Sequence, residues 1–589
     1  MGDFYVLGMT LGHNATASLT NNGEVVACAS EERFVRKKNV YGYPEKAIAY
    51  CLGEAGLRGS DLDLVVLSSR ITPPLHQTED GLQEATRGDK GTNWFSLLSK
   101  TRGTLNKVKS IDTFGYTKLA PMLAKGTHQK RVEIISSLLQ IDPKKIICSE
   151  HHLTHAYAGI FASDVLRDAP SDELLVITVD GEGDMLSSSV GVFKRSDLSY
   201  HRIAQSSYAE SIGHFYSAVT THLGMKMLEH EYKVMGLAPY SWSDQAERLY
   251  QTFKEHIWID DQLQIKTKIH SHRFRDFLRD ACKGIRFDYV AAAAQKLVET
   301  LLVELAQKAI AQTGIHSVIL SGGVFMNVKA NYEILKLPEV ERLFVMPSCG
   351  DESLPLGSCY FGTLLHEREA MKKVEPITSL YWGPSFSKDE IEHALKASEF
   401  TYRDYGKSID VQTAALLANG HVVARFADRM EFGARALGNR SILADASDPD
   451  VVEVINKMIK MRDFWMPFAP SIMEEHASKY LKPSALLGKT WPGFMMVCFD
   501  STPLAQKDLK AAMHPYDKTL RPQLVNKDIN PRYYAVLHSF MRKTGRYGIL
   551  NTSFNIHGEP IVCSPEDALH TLRESGLQYL ALGDFIVHK

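Results

Sequence analysis

The sequence lacks the features that mark membrane-spanning, secreted or nucleic-acid-binding proteins. No stretch holds the ~20 consecutive apolar residues of a membrane span, and the first apolar run is short and lacks the basic start of a signal peptide. The eight cysteines form no CxxC pair, which argues against a zinc knuckle or a redox motif. Lys and Arg number 67 against 69 Asp and Glu, so no bulk charge attracts nucleic acid or anionic lipid. We expect a cytoplasmic protein with reduced thiols that partners neither a membrane nor a nucleic acid.

Length and hydrophobic pattern predict a multidomain α/β protein. A chain of 589 residues exceeds what one hydrophobic core usually organises. Asn21-Asn22-Gly23 joins two strand-like runs as a hairpin, and later apolar runs such as Leu64–Leu67 alternate with helical patterns. A Lys/Glu-rich helix then gives way to prolines and a Trp-Gly-Pro turn, so we predict domains at 1–375 and 385–589. The polar segment from about 72 to 130 is predicted to be an insertion that covers a site.

Two histidines and two aspartates form a candidate metal site. His151 and His155 are four residues apart, so on a helix they share one face. Asp180 and Asp351 each follow a strand-like run, where carboxylates are well placed to bind metals. A mixed imidazole and carboxylate shell suits iron, manganese or zinc better than calcium. The alternative is an ordinary helix with polar histidines and two turn aspartates.

A glycine turn provides a candidate phosphate site. The run from Val318 to Asn327 is typical of a strand, a turn at Gly322 and Gly323, and a helix start. Glycines there let backbone N–H groups approach a phosphate near a helix N-terminus. Many βα turns share this pattern without binding a ligand, which is the alternative.

Three arginines define a second candidate site, in the predicted C-terminal domain. Arg429, Arg435 and Arg440 lie within a dozen residues of a largely apolar segment. The planar guanidinium suits bidentate contacts to phosphate or carboxylate, so the spacing indicates a shared anionic ligand. Ion pairing with Glu431 is the alternative.

Further polar residues downstream extend this second site. Lys460 and Arg521 add positive charge, and Ser553 and Asn555 follow a strand-like run. Hydroxyl and amide side chains there can bind an adenine, a ribose or a carbamoyl group. For Lys460, a solvated helix face is the alternative.

These motifs, with others spread along the chain, resemble those of one enzyme family. The motifs are Gly12–Ala17, Glu31–Phe34, His151–His155, Glu231–Tyr240, Ser321–Asn327, Arg429–Ser441, Phe468–Ile472 and Asn551–Pro560. The chain is similar to the carbamoyltransferases that include the nodulation-factor, cephamycin, ansamycin and aminoglycoside O-carbamoyltransferases. The resemblance covers nearly the whole chain.

The resemblance implies a fold and a reaction. The fold is an N-terminal actin-like ATPase-type domain, similar to the tRNA threonylcarbamoyl-transfer protein, and a C-terminal YrdC-like α/β domain. The C-terminal domain would form carbamoyl adenylate from carbamoyl phosphate and ATP with magnesium. The N-terminal domain would transfer carbamoyl, on iron or alternatively manganese or zinc, to a hydroxyl of a small natural product such as an antibiotic, toxin or glycan. The resemblance leaves a homodimer open.

The resemblance also implies a role for individual residues. The metal ligands are His151, His155, Asp180 and Asp351, and the nucleotide contacts are Gly322, Gly323 and Asn327. The adenylation site comprises Arg435, Lys460, Arg521, Ser553 and Asn555, with Arg429 and Arg440 as further nucleotide contacts. His13 and Lys38 face the transferred group or the acceptor, and His13 is a candidate base. The sequence departs from the family pattern at Asn39 and from Glu352 to Pro355, which bears on the acceptor pocket.

Four other functions compete with this interpretation. Carbamoyl transfer in hydrogenase maturation would bring an acylphosphatase-like domain and zinc-binding Cys pairs, which this sequence lacks. An actin-like sugar kinase would leave the arginine cluster unused. Threonylcarbamoylation of tRNA normally needs a basic face. A nucleotide-binding regulator without catalysis would release no pyrophosphate from ATP and carbamoyl phosphate.

Overall fold

The computed structural model of the chain describes residues 2–71, 128–460, 463 and 465–589. The insertion predicted for about 72–130 therefore lies almost entirely outside the described residues. Among the helices in these ranges, none has the length and apolarity needed to cross a membrane.

The first sheet combines a three-stranded antiparallel meander with two parallel strands. The strand order is β3-β2-β1-β4-β5, and β4 and β5 run parallel to β1. Asn22 and Gly23 both have positive φ, which confirms the hairpin predicted at this position. The strands are β1 (Tyr5–Thr10), β2 (Thr16–Asn21), β3 (Glu24–Ser30), β4 (Leu64–Leu67) and β5 (Ile146–Cys148).

A second sheet repeats this topology. Its order is β12-β11-β6-β7-β8, with β6, β7 and β8 as the antiparallel meander and β11 and β12 as the added parallel strands. The strands are β6 (Glu173–Gly183), β7 (Leu186–Lys194), β8 (Ser199–Ser207), the separate hairpin β9 (Ile257–Ile259) and β10 (Ile265–Thr267), and β11 (Ser317–Ser321) and β12 (Arg342–Val345). Two sheets of one topology in tandem form the duplicated core of an actin-like domain, as expected.

Two helices pack against each other between these sheets and carry part of the candidate metal site. A Cβ on Gly357 would lie 1.9 Å from the Thr154 carbonyl oxygen, so the helices His151–Ala162 and Leu354–His366 cross at backbone contact distance. The remaining helices before residue 375 are Glu31–Val35, Glu45–Ala55, 128–139, Val165–Asp168, Ile212–His222, Glu231–Leu237, Asp244–Lys254, Phe274–Ala281, Phe287–Thr313, Val328–Leu335 and Arg368–Met371.

The C-terminal part is built on an eight-stranded mixed sheet in the order β13-β23-β22-β14-β15-β21-β16-β20, beside a three-stranded sheet β17-β18-β19. The strands are β13 (Thr401–Asp404), β14 (Val423–Phe426), β15 (Arg440–Ala444), β16 (Ala469–Met473), β17 (Leu481–Lys482), β18 (Phe499–Ser501), β19 (Thr519–Leu520), β20 (Gln523–Val525), β21 (Gly548–Ser553), β22 (Tyr579–Leu582) and β23 (Phe585–His588). The helices are Lys388–Lys396, Ile409–Ala418, Val451–Ile455, Ala477–Tyr480, Pro503–Asp508, Pro531–Thr544 and Pro565–Arg573, with a π-helical turn at Asn456–Lys460. Mixed sheets covered by helices confirm the predicted α/β class, including the α/β nature of this part.

The two parts meet through a continuous apolar core and through buried hydrogen bonds. Asn331 Nδ2 donates to the Met496 carbonyl at 2.8 Å, and His514 Nε2 lies 2.9 Å from the Gly236 carbonyl oxygen. Strands of the first two sheets all precede residue 346, and those of the later sheets all follow residue 400. We propose the domain boundary between them, at about 375–385.

Candidate active site

The structure brings together the four side chains predicted to bind a metal. His151 Nε2 lies 3.2 Å from Asp180 Oδ2 and 3.6 Å from Asp351 Oδ1. His155 Nε2 lies 3.9 Å and 3.7 Å from the same two oxygens. All four residues are buried, and one ligand atom from each lies within 4.8 Å of the others. Two imidazoles and two carboxylates therefore converge on one point.

Local structure explains this convergence. The carboxylate of Glu150 caps the helix His151–Ala162 by accepting from the backbone N–H groups of His152 and Leu153. The two histidines then lie one turn apart on the same helix. Asp180 is near the end of β6, and Asp351 begins a short 3₁₀ turn after β12.

The donor set fits a transition-metal dication. In the described part of the chain, no group lies within hydrogen-bonding distance of either ring nitrogen of His155, although the ring is fully buried. The nearest acceptors of His155 Nε2 are the carboxylate oxygens of Asp180 and Asp351, at 3.9 and 3.7 Å, and a cation between these groups would satisfy the buried imidazole and both carboxylates. Burial disfavours protonation of His151, but Asp351 and Asp180 outweigh it and raise the pKa of His151 to about 10. A bound dication would replace that proton as the neutralising charge.

A second layer of hydrogen bonds orients these four side chains. Ser69 Oγ lies 3.2 Å from His151 Nδ1, which leaves Nε2 facing the two carboxylates. The Gly323 N–H donates to Asp180 Oδ1 at 3.0 Å. Asp184 accepts from the His151 N–H at 2.8 Å, and also from the N–H groups of Arg70 and Ile71. Such partners fix the ring orientation and the basicity of metal-binding side chains.

Both predicted sites open into one cavity between the domains. Its volume is about 880 Å³, and residues from both parts of the chain line it. The predicted site residues that line it are His13, Lys38, His151, Asp180, Gly323, Asn327, Asp351, Arg435, Lys460, Arg521, Ser553 and Asn555. Residues nearly 550 positions apart therefore face a common space.

In the C-terminal part of the chain, Lys460 is held by the last residue of β21 and by a residue just after this strand. Its Nζ donates to Asn555 Oδ1 at 2.8 Å and to Ser553 Oγ at 3.1 Å. Lys460 is buried, so the alternative of a solvated helix face is excluded. The three residues predicted together therefore form one polar cluster.

Three further cations face the same cavity. Lys329, Arg521 and Arg435 all lie near the buried thiol of Cys498. Burial raises the pKa of Cys498 to about 11, while these three cations act to lower it. Lys329 comes from the N-terminal part and binds Asp517 and Thr519 of the C-terminal part. Fixed positive charge of this kind favours binding of a polyphosphate.

The structure corrects the prediction for two of the arginines. Arg429 and Arg440 are absent from the cavity lining among the described residues. The Arg429 guanidinium donates to the carbonyls of Gly383, Val26 and Trp382, and so joins the two domains. Arg440 is fully buried, donates to the Ala427 carbonyl and stacks on a phenylalanine ring. Both groups bind backbone carbonyls, so their role is structural.

The glycine turn also differs in part from the prediction. Gly322 has φ of 101°, and a Cβ there would lie 2.4 Å from the Val179 carbonyl oxygen, so it serves the turn. The Gly323 N–H is occupied by Asp180 rather than directed to open space. Asn327 lines the cavity, but its amide pairs with Gln295 through two hydrogen bonds of 2.9 Å. The turn supports the metal site more directly than it offers a phosphate cradle.

His13 and Lys38 both line the cavity, and His13 lies beside the metal cluster. His13 Nδ1 is 3.4 Å from Asp351 Oδ2, and 29% of its side chain is exposed. Asn39, the first departure from the family pattern, binds Glu229 and Glu32. The second departure, Glu352, is buried, which raises the pKa of its carboxyl group.

Sequence reasoning missed several residues of this site. Ser69, Asp184 and Lys329 act only through contacts that the fold creates. Asp184 could have been found from the sequence. It ends the alternation Asp180-Gly181-Glu182-Gly183-Asp184, and acidic residues between glycines are unusual at the end of a buried strand. Lys329 lies two residues after the predicted strand-turn-helix segment that ends at Asn327, so its position could have indicated a role in the site.

Comparison with known proteins identifies the family. Residues 5–359 match the family model described as carbamoyltransferase N-terminus, and residues 414–589 match the one described as carbamoyltransferase C-terminus. An uncharacterized protein of Synechocystis sp. is 29% identical over 99% of this chain and 97% of its own length. Nodulation protein NolNO of Sinorhizobium fredii is 28% identical over 98% of this chain and 79% of its own. The structure of full-length HypF in the phosphate- and nucleotide-bound form is similar over 62% of this chain and about half (47%) of that chain, with 15% identity and a TM-score of 0.34.

Proposed function

Because the chain belongs to the carbamoyltransferase family, we propose that it is an ATP-dependent O-carbamoyltransferase that works through carbamoyl adenylate. The observation that carries this proposal is the single cavity that joins a cationic cluster to a histidine and aspartate cluster. The two ends differ in charge and in donor type, which suits two different half-reactions.

The first half-reaction belongs to the cationic end. Water first hydrolyses carbamoyl phosphate to carbamate and inorganic phosphate. A carbamate oxygen then attacks the α-phosphorus of ATP, the bond from that phosphorus to the α–β bridging oxygen breaks, and pyrophosphate leaves. Arg435, Arg521 and Lys460 would neutralise the charge that develops on the phosphates. Ser553 and Asn555 hold Lys460 in place, so this charge is preorganised.

The second half-reaction belongs to the other end. A hydroxyl of the acceptor attacks the carbamoyl carbon, the bond from that carbon to the phosphate oxygen breaks, and AMP leaves. His13 is partly exposed in the cavity and is positioned by Asp351, so it is the proposed acceptor of the hydroxyl proton. Lys38 lines the same cavity and would face the transferred group.

A dication held by His151, His155, Asp180 and Asp351 would polarise the carbamoyl carbonyl as a Lewis acid. Ser69 and Asp184 would keep His151 aligned for that role. We propose iron first, with manganese or zinc as alternatives, and magnesium as the companion of ATP.

The proposed acceptor is a small hydroxylated molecule such as an antibiotic, a toxin or a glycan. The near-balance of charge, 67 basic against 69 acidic residues, argues against a basic face for tRNA. A cavity of about 880 Å³ with a histidine beside the proposed metal site suits a small acceptor that enters the cavity whole.

The test measures both products with purified protein. Pyrophosphate should appear only when ATP and carbamoyl phosphate are both present, and a panel of hydroxylated compounds should yield one acceptor that gains a carbamoyl group by mass spectrometry. ADP formation independent of carbamoyl phosphate would favour a kinase. Nucleotide binding without any turnover would favour a regulator.

A further inference from the structure

A contact between the domains lies between the metal site and the arginine loop. Ser348 is buried and has φ of 55°, a left-handed conformation that is uncommon for serine. Its Oγ donates to Glu352 Oε1 at 2.5 Å and accepts from the Ala434 N–H at 3.3 Å. We call Ser348, Glu352, Gly433 and Ala434 the interdomain latch.

Gly433 makes this contact close. Its φ is 91°, and a Cβ at this position would lie 2.3 Å from Ser348 Oγ. No side chain fits between the two loops, so their backbones approach directly. On its other side, the Gly433 carbonyl accepts from Arg33 Nη2 at 2.7 Å. The N-terminal domain therefore holds this loop from two directions.

Residues of the interdomain latch are adjacent in the sequence to residues of both proposed sites. Glu352 directly follows the metal-site residue Asp351, and Ala434 directly precedes Arg435 of the cationic cluster. A short path of bonded atoms and two hydrogen bonds thus connects the two ends of the cavity. A shift of the Ala434 loop would change the distance between Arg435 and the metal site. Glu352, Gly433 and Ala434 line the cavity, but the two half-reactions proposed above assign no bond-making, bond-breaking or proton-transfer step to Ser348 or Glu352.

We propose that the interdomain latch is a positioning device that holds the Arg435 loop against the metal site and so keeps the two half-reactions coupled. This inference rests on the proposed function. When the latch is weakened, water attacks the carbamoyl carbon of the adenylate and the bond to the phosphate oxygen breaks. AMP then leaves, and the carbamate that forms decomposes to ammonia and carbon dioxide. A weakened latch is therefore expected to yield AMP that is not matched by an equal amount of carbamoylated acceptor.

The experiment measures carbamoylated product per pyrophosphate released. Ser348→Ala removes both hydrogen bonds of the latch, and Glu352→Ala removes one. We expect Glu352→Ala to lower the ratio roughly 2- to 10-fold, the factor that one hydrogen bond typically contributes, and Ser348→Ala to lower it further. Glu352→Gln keeps an acceptor oxygen and should restore most of the coupling. Pyrophosphate release itself should stay within a few-fold of the wild-type rate.

Ser188→Ala is the matched control. Ser188 is also buried, but its Oγ bonds Ser206 Oγ at 2.7 Å within one sheet, so coupling should stay at the wild-type ratio. Thermal unfolding and metal content of each variant report whether the fold and the metal site persist. Folded latch variants with the wild-type ratio would overturn the latch alone. A wild-type protein that releases no pyrophosphate would overturn the proposed function and this inference with it.

Discussion

Among single residues, His155 gives the strongest argument for the proposed metal. Its ring is fully buried, and within the described ranges neither nitrogen has a hydrogen-bond partner. Two carboxylates lie just under 4 Å away. A cation between these groups would satisfy the ring and offset the charge of Asp180 and Asp351 together.

We predict that metal binding stabilises the wild-type protein and not the His155→Ala variant. A cation present at 100 times its Kd adds about 2.7 kcal/mol to the free energy of unfolding. Titration with Mn²⁺ or Zn²⁺ should therefore raise the unfolding midpoint of the wild type, and a chelator should reverse the rise. His201→Ala, which removes an exposed histidine on β8, should behave as wild type. An equal rise in His155→Ala would refute the ligand assignment.

The residues that could be predicted from the sequence are those that recur at a fixed spacing or follow a strand. Helical spacing identified His151 and His155, and strand ends identified Asp180 and Asp351, which the fold does bring together. The structural role of Arg429 could not be predicted, because its guanidinium donates to the carbonyl oxygens of Val26 and Trp382, which are far away in the sequence. A cluster of arginines therefore predicts an anion site only where backbone carbonyls do not already accept hydrogen bonds from the guanidinium groups.

Among the secondary-structure elements, the β6–β7 hairpin sets the position of the metal-binding helix. Gly183 pairs with Leu186, and the two central residues Asp184 and Met185 have φ of 49° and 75°, as in a type I′ turn. This turn aims the Asp184 carboxylate at the His151 N–H at the start of the helix. The local sequence shows an Asp-Met turn without the usual glycine, so its geometry could not be predicted from the pattern.

Gly183→Ala should disrupt the metal site while the fold persists. A Cβ at Gly183 would lie 2.0 Å from the His151 ring, so the ring or the hairpin must move. Changes in the groups that orient metal ligands typically cost 10- to 100-fold in affinity, and we expect a loss of that size in a metal titration. Gly53→Ala is the control, since that helical glycine has open space around its Cβ position and should bind metal normally. Unchanged affinity in Gly183→Ala would show that the hairpin does not position His151.

In the whole molecule, two domains share one reaction space. The sequence predicts two clusters in separate domains, but the cavity that both clusters line could not be predicted from it, because the cavity depends on how distant parts of the chain pack. Lys329 illustrates this, because it belongs to the N-terminal part of the chain and forms an ion pair with Asp517 of the C-terminal part. A shared cavity explains how a labile adenylate could pass from one end to the other without leaving the protein.

The central claim assigns adenylation to the cationic end of the cavity and carbamoyl transfer to the metal-site end. It is tested most directly by comparing two variants in both half-reactions. Arg435→Ala removes fixed positive charge from the adenylation end, and we expect pyrophosphate release to fall roughly 100-fold, the typical cost of one preorganised electrostatic contact. His155→Ala should still release pyrophosphate but should form no carbamoylated product. Carbamoyl adenylate supplied directly should rescue product formation in Arg435→Ala and not in His155→Ala. The opposite pattern, with pyrophosphate release lost in His155→Ala and kept in Arg435→Ala, would contradict the account and assign adenylation to the N-terminal domain.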